Sequence, residues 1–231
     1  MSYWKIAAAQ YEPPHTTLAG HVARHLQFIE AAARQHCELL VFPSLSLTGC
    51  SDKNRPLPAP PDEALMRPLV HAASTHRMTI IAGLPVEHHC KFVEGVAVFA
   101  PWKATPLLFA QGHNTCVSRQ QQMISVLSQS VEGMDIDPAF SLFTTSQSIN
   151  DNELFTSTCQ WQRFSHRFAI SVLMANARRD SALWDEAGQL IVRAGSGSLL
   201  LTGQRTAQGW QGDIIPLREA FLTRKNICCE L

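Results

Sequence analysis

Apolar residues come in short runs along the first part of the chain, and their period changes from one run to the next. YWKIAAA (3–9) is a compact apolar run that stops before Pro13-Pro14, as a buried strand does. Over 17–35 the apolar positions are Leu18, Val22, Leu26, Phe28, Ile29 and Ala32, with His, Arg and Gln between them. That spacing predicts a helix, for which Thr16 or Thr17 supplies a cap. Residues 38–42 return to a buried-strand run. PDEALMRPLVHAASTHR (61–77) is helical again, with Asp62 and Glu63 suited to the positive first turn. MTIIAGLP (78–85) is a strand running into turn residues.

Beyond residue 90 the runs crowd together. VEGVAVFA (93–100) and PLLFAQ (106–111) flank PWKAT, a hairpin pattern. QMISVLS (122–128) and AFSLFTT (139–145) are further strands. Residues 150–166 form a helix with Leu154, Phe155, Trp161 and Phe164 on one side. FAISVLMA (168–175) is a strand, and ALWDEAGQLIVRAG is a hairpin turning at Glu186-Ala187-Gly188. SGSLLLTG (196–203) closes the sheet region. Strands alternate with helices early and pair as hairpins late. The order predicts an α/β sandwich with mixed sheets rather than a parallel doubly wound fold. With 231 residues, 45% of them hydrophobic, and no repeat or linker, the chain is expected to form a single domain over 1–231.

Charge narrows the function classes. Nineteen basic and nineteen acidic residues give a formal net charge of zero, with no run of one sign. A nucleic-acid surface or a polybasic membrane anchor needs a local excess of Lys and Arg, so neither is expected. No apolar stretch reaches membrane-spanning length, and the N-terminus reads as a strand rather than a leader. Seven cysteines, an odd number, in a chain of this size read as reduced thiols in the cytoplasm. His88-His89-Cys90 is metal-like in composition, but neighbours on a strand point to opposite faces and no second cluster completes a site. No cofactor and no metal are expected.

Several stretches together resemble the carbon–nitrogen hydrolase family, the nitrilase superfamily. KIAAAQYEPP is similar to the family's opening strand with its "A-Q" ending, and CELLVFPSLSLTGC resembles "A-D-L-V-V-F-P-E-L-S-L-T-G-Y". IIAGLPVE is similar to "V-V-G-L-P-E". VLMANA followed by SALWDEAGQLIVRAG resembles "V-V-x-A-N … G-x-S-x-I-x-D-P-x-G-x-V-L-A". The likeness covers about 4–100 and 160–203. It implies an αββα sandwich and, in most members, a homodimer stacked through helical faces. It also implies a mechanism in which a cysteine thiolate attacks an amide or nitrile carbon, a glutamate is the general base and a lysine stabilises the tetrahedral intermediate. Such a nucleophile needs a base and a nearby cation to raise its thiolate fraction, and the oxyanion needs fixed donors.

All three positions are substituted. The glutamate after "F-P" is Ser44, in a register fixed by LSLTG. Serine cannot take up a proton at neutral pH as a carboxylate does, a loss of about 10² to 10⁴ in rate. After LLFAQ, where the family has lysine, stand Gly112, His113 and Asn114. The next lysine is Lys225, while Lys91 and Lys103 sit upstream in turns. His113 is the nearest group able to carry charge or donate to an oxyanion. "G-V-x-I-C-Y-D" is best matched by MISVLSQS, which puts Ser128 at the nucleophile position. The "F-P-E" helix that follows in the family is replaced by the breaker-rich VEGMDIDPAF. Cys50, after "L-T-G", and Cys116, three residues after His113, are the other thiols to weigh. A Cys116–His113 pair would suffice in type.

The expected function is a catalytically impaired relative of amidases and nitrilases, which hydrolyse non-peptide C–N bonds. It would bind a small amide or carboxylate ligand in the cleft. Two alternatives stay open. One is an active small-amide hydrolase using Ser128 or Cys116 with His113. The other is a non-catalytic structural or regulatory subunit that pairs with an intact homologue.

Overall fold

The structure, a computed structural model, describes residues 4–12, 16–49, 56–110, 115–119, 122–127, 140–149 and 154–217. His113, Ser128, Cys50, Cys228, Cys229 and Lys225 lie outside them.

The chain runs β1 (Trp4–Gln10), α1 (Leu18–Arg34), β2 (Leu39–Val41), α2 (Glu63–His76), β3 (Thr79–His88), β4 (Lys91–Phe99) and β5 (Leu107–Ala110). It continues with β6 (Thr115–Arg119), β7 (Gln122–Leu127), β8 (Phe140–Gln147), α3 (Leu154–Phe168) and β9 (Ser171–Asn176). The last strands are β10 (Ala182–Trp184), β11 (Leu190–Arg193), β12 (Leu199–Thr206) and β13 (Gly209–Pro216). Thr17, not Thr16, caps α1 by accepting the Gly20 N–H at 3.2 Å. Asp62 stands one residue before the first turn of α2 and accepts the Leu65 N–H at 2.8 Å.

Two mixed sheets form. One has seven strands in the order β13-β12-β1-β2-β3-β4-β5, the other six in the order β11-β10-β9-β8-β7-β6. β1, β2 and β3 are mutually parallel, as are β7, β8 and β9; the remaining pairs are antiparallel. Strand periodicity sorts the layers. Trp4, Ile6, Ala8, Leu39, Val41 and Ile81 face the second sheet and pack on Leu142, Leu173, Ala175 and Leu183. Their alternates Ala7, Ala9, Leu40, Phe42, Ile80 and Ala82 turn outward onto α1 and α2 through Phe28, Ile29, Met66 and Leu69. On the far side, Trp161 and Phe164 of α3 cover Phe143, Val172, Met174 and Trp184. The layering is helix, sheet, sheet, helix, as expected.

Two strands depart from the sequence reading. SGSLLLTG does not close the sheet: a hairpin at Ala207-Gln208 returns the chain as β13, an edge strand. Its two glycines and terminal proline hid it, since these are breakers inside a sheet but tolerated at its rim. β6 was likewise masked by the polar composition of TCVSR. No helix among the described residues is long and apolar enough to cross a membrane.

Candidate active site

The parallel strands of both sheets end on one side of the sandwich, where open α/β sheets bind ligands. β2 is three residues long, and Phe42-Pro43 carry the chain off it into the loop 44–49. Leu45 adopts a left-handed φ of 52° and Gly49 one of 84°. The Ser46 N–H donates to the Pro43 carbonyl at 3.3 Å, the Thr48 N–H to Leu45 at 3.1 Å, and the Leu47 N–H to Gly83 at 3.0 Å. The loop lies directly on Gly83 of β3, where a Cβ would overlap the backbone of Pro43 and Leu45.

A buried relay holds the loop from beneath. The Gly83 N–H donates to Ser46 Oγ at 3.3 Å, which leaves the Ser46 proton for His25 Nε2 at 3.0 Å. His25 Nδ1 lies 2.8 Å from the His21 carbonyl, which only accepts, so Nδ1 carries the proton and Nε2 is the acceptor. The imidazole is fully buried, 4.1 Å from the Phe42 ring and edge-on to Tyr11. Burial pushes His25 down to about 3, against the raising effect of its bond to the His21 backbone. A serine–histidine pair has the composition of a nucleophile and its base, but with Ser46 and His25 both 0% exposed no substrate reaches it. Its role is to fix the loop.

Ser44 is the tip of that loop and is itself buried. Its N–H donates to the Gln147 carbonyl, at the end of β8, at 3.3 Å. Its Oγ donates to Glu94 Oε2 at 2.7 Å. Glu94 is on β4, opposite Pro85 of β3. Sequence reasoning overlooked this carboxylate, although β-alternation carried a signal. Glu94 has the parity of Val96 and Val98, which pack in the core between the sheets, so it is a charge on an inward face.

β7, the strand before Ser128, ends at Leu127 paired with Thr145, two residues from the Gln147 carbonyl that Ser44 meets. Ser44 and the end of the strand leading to Ser128 thus share one end of the second sheet. β5 ends at Ala110, before His113. Two other motif residues are clamps rather than reactive groups. Gln10 donates to the carbonyls of Gly195 at 2.7 Å and Gly197 at 3.2 Å and accepts the Ser181 N–H at 2.8 Å. Asn176 donates to the Arg179 carbonyl and accepts the Ile149 N–H, both at 2.9 Å. Each ties a strand end to the loops around it.

Lys91 and Lys103 are exposed. Cys159 is half-buried on α3. Cys116 lies on β6. Cys37 precedes β2, at the opposite end from Ser44, and burial pushes its thiol up to about 12. It is therefore expected to resist alkylation in the native protein at pH 8 and to react on unfolding, a difference peptide mass spectrometry reads directly. His88 and His89 do not point to opposite faces. His89 and Cys90 are the turn between β3 and β4, with φ of 49° and 59°, and the two imidazoles meet at 4.1 Å. Among the described residues no three His, Cys, Asp or Glu side chains converge as a metal site would require.

The carbon-nitrogen hydrolase family model matches residues 5–129, more than half of the chain. The chain belongs to the carbon-nitrogen hydrolase family. Solved structures agree on the fold. An amidase variant from Nesterenkonia sp. AN1, in complex with acrylamide, superposes with a TM-score of 0.74 at 14% identity over 89% of this chain and 92% of its own. A CN-hydrolase superfamily protein from Xanthomonas campestris, with an arsenic adduct in its active site, gives 0.73 at 14% identity over 90% and 92%. The glutamine-dependent NAD+ synthetase of Acinetobacter baumannii gives 0.71 at 13% identity over 91% of this chain and 47% of the synthetase, about half its length. At these identities the likeness is one of fold.

Proposed function

We propose that this carbon-nitrogen hydrolase relative is catalytically impaired in the Glu-Lys-Cys chemistry of its family. It binds a small amide or carboxylate ligand at the end of the sandwich where Ser44 lies, as a cytoplasmic homodimer. The observation that carries the reading is the state of Ser44. A buried hydroxyl that already gives its proton to Glu94 is not an acceptor for the proton of a thiol or water. The ligand class is taken from the Nesterenkonia amidase, whose variant holds acrylamide, a small primary amide.

Ammonia release from a panel of short amides and ω-amido acids tests this. Neither the wild type nor Ser44→Glu is expected to turn over, because the lysine and cysteine positions are substituted as well. Restoring one member of a set that acts as a unit recovers little. Binding of the same amides, followed by NMR titration, is expected without turnover. The Glu94 carboxylate favours a second reading, an active small-amide hydrolase with a non-standard set that includes His113 and Ser128 or Cys116. Turnover that disappears in His113→Ala would establish that reading and refute impairment.

A further inference from the structure

β4 alternates strictly. Val96 and Val98 pack between the sheets, while Ala97 and Phe99 pack toward the helices. By that alternation Glu94 faces the second sheet, where an ionised carboxylate is costly unless a donor meets it. Ser44 is such a donor: its hydroxyl reaches Oε2 at 2.7 Å, within hydrogen-bond length. The loop position that carries a carboxylate in the family thus holds a hydroxyl, and the strand position in contact with it holds a carboxylate. A glutamate at 44 would direct its carboxylate into the space that the Glu94 carboxylate now occupies. Ser44 is in turn fixed by the Gln147 carbonyl and by a loop resting on Gly83, so the donor does not drift from its acceptor.

We propose that the carboxylate the family carries at position 44 is supplied here from position 94. Glu94 is the acidic group of this site, the acceptor for N–H donors of a small amide or ammonium ligand, and Ser44 is a positioning residue that holds it. The ligand part of the proposal rests on the binding reading given above; the placement of the carboxylate at 94 does not.

Two measurements keep them apart. The first is a thermal-melting cycle. Ser44→Glu places a second carboxylate against Glu94 and is expected to lower the melting temperature by roughly 5 °C more than Ser44→Gln, which has the same size without the charge. Adding Glu94→Ser to Ser44→Glu is expected to recover most of that loss. Equal losses for Ser44→Glu and Ser44→Gln, or losses that simply add in the double variant, would overturn the placement of the acidic group at 94.

The second is NMR titration with propionamide and propylammonium, which does not depend on Ser44→Glu folding. Glu94→Gln is expected to weaken propylammonium binding about tenfold or more. Ser44→Ala should weaken both probes about threefold, and Ser44→Thr should restore them. Binding of both probes with unchanged affinity in Glu94→Gln would overturn the assignment of Glu94. A coupled melting cycle with no binding of either probe to the wild type would support the placement of the acidic group at 94 and refute the ligand reading alone.

Discussion

Gly83→Ala is expected to destabilise the protein by about 3 kcal/mol, the upper end of what one added core methyl costs. For a chain of this size that corresponds to a fall in melting temperature of roughly 6 to 12 °C. The magnitude follows from what the methyl would strike. At Gly20 and Gly203 an added Cβ would meet side chains only, which have some freedom to turn away. At Gly83 it meets the Pro43 carbonyl and the Leu45 amide, backbone of a loop that is pinned on three sides. The Leu47 N–H bonds back to the Gly83 carbonyl, the Ser44 N–H bonds to Gln147, and Ser46 is held by His25. The strand cannot retreat either, because β3 is paired with β2 on one side and β4 on the other. Gly195→Ala is the control: nothing lies within 4 Å of a Cβ there, and stability should change by less than about 0.5 kcal/mol. Urea unfolding of both variants decides the matter. Equal midpoints would mean that the loop is not seated on Gly83 as described. Because the same loop carries Ser44, Gly83→Ala should also loosen Ser44 from Glu94 and weaken any ligand held there.

The fold was legible because each layer imposes its own period. Leu39, Leu40 and Val41 read as a buried strand, and Leu18 to Ala32 as a helix with one apolar face, before any contact is known. The family motifs were legible for a different reason. Gln10 and Asn176 make side-chain bonds to backbone that few other residues reproduce, so their identity survives in recognisable form. Edge strand β13 was not legible, since an edge needs neither alternation nor the absence of glycine. The candidate site was half legible. Ser44 stood out because LSLTG fixes the register in which the resemblance puts a glutamate there. Glu94 did not, because pairing between a loop and a strand fifty positions away is set by sheet order, which no local window contains. His25 was hidden for the same reason. In the sequence it is one polar residue on a helix, and only the fold brings it under Ser46.

Acidification from pH 7 to pH 5 is expected to remove about 2 kcal/mol of stability through His25, and His25→Gln should flatten that loss. The sign follows from the direction of the shift. An unfolded histidine takes up a proton near 6.5, whereas burial holds folded His25 neutral down to about 3. Above pH 6.5 both states are neutral and the full stability is present. Between 6.5 and 3 the unfolded chain binds a proton that the folded chain refuses, so stability falls by about 1.4 kcal/mol per pH unit. His21, held low by burial, pulls in the same direction. The measurement is the urea midpoint of wild type and His25→Gln at pH 7, 6 and 5. Parallel curves for the two proteins would show that His25 does not titrate across the transition. The consequence reaches the site because of what protonation would break. A protonated Nε2 no longer accepts from Ser46: the bond must reverse, and the Ser46 hydroxyl is left to find another acceptor in a buried place. The loop that presents Ser44 to Glu94 is therefore seated on a buried group whose proton uptake the folded chain resists.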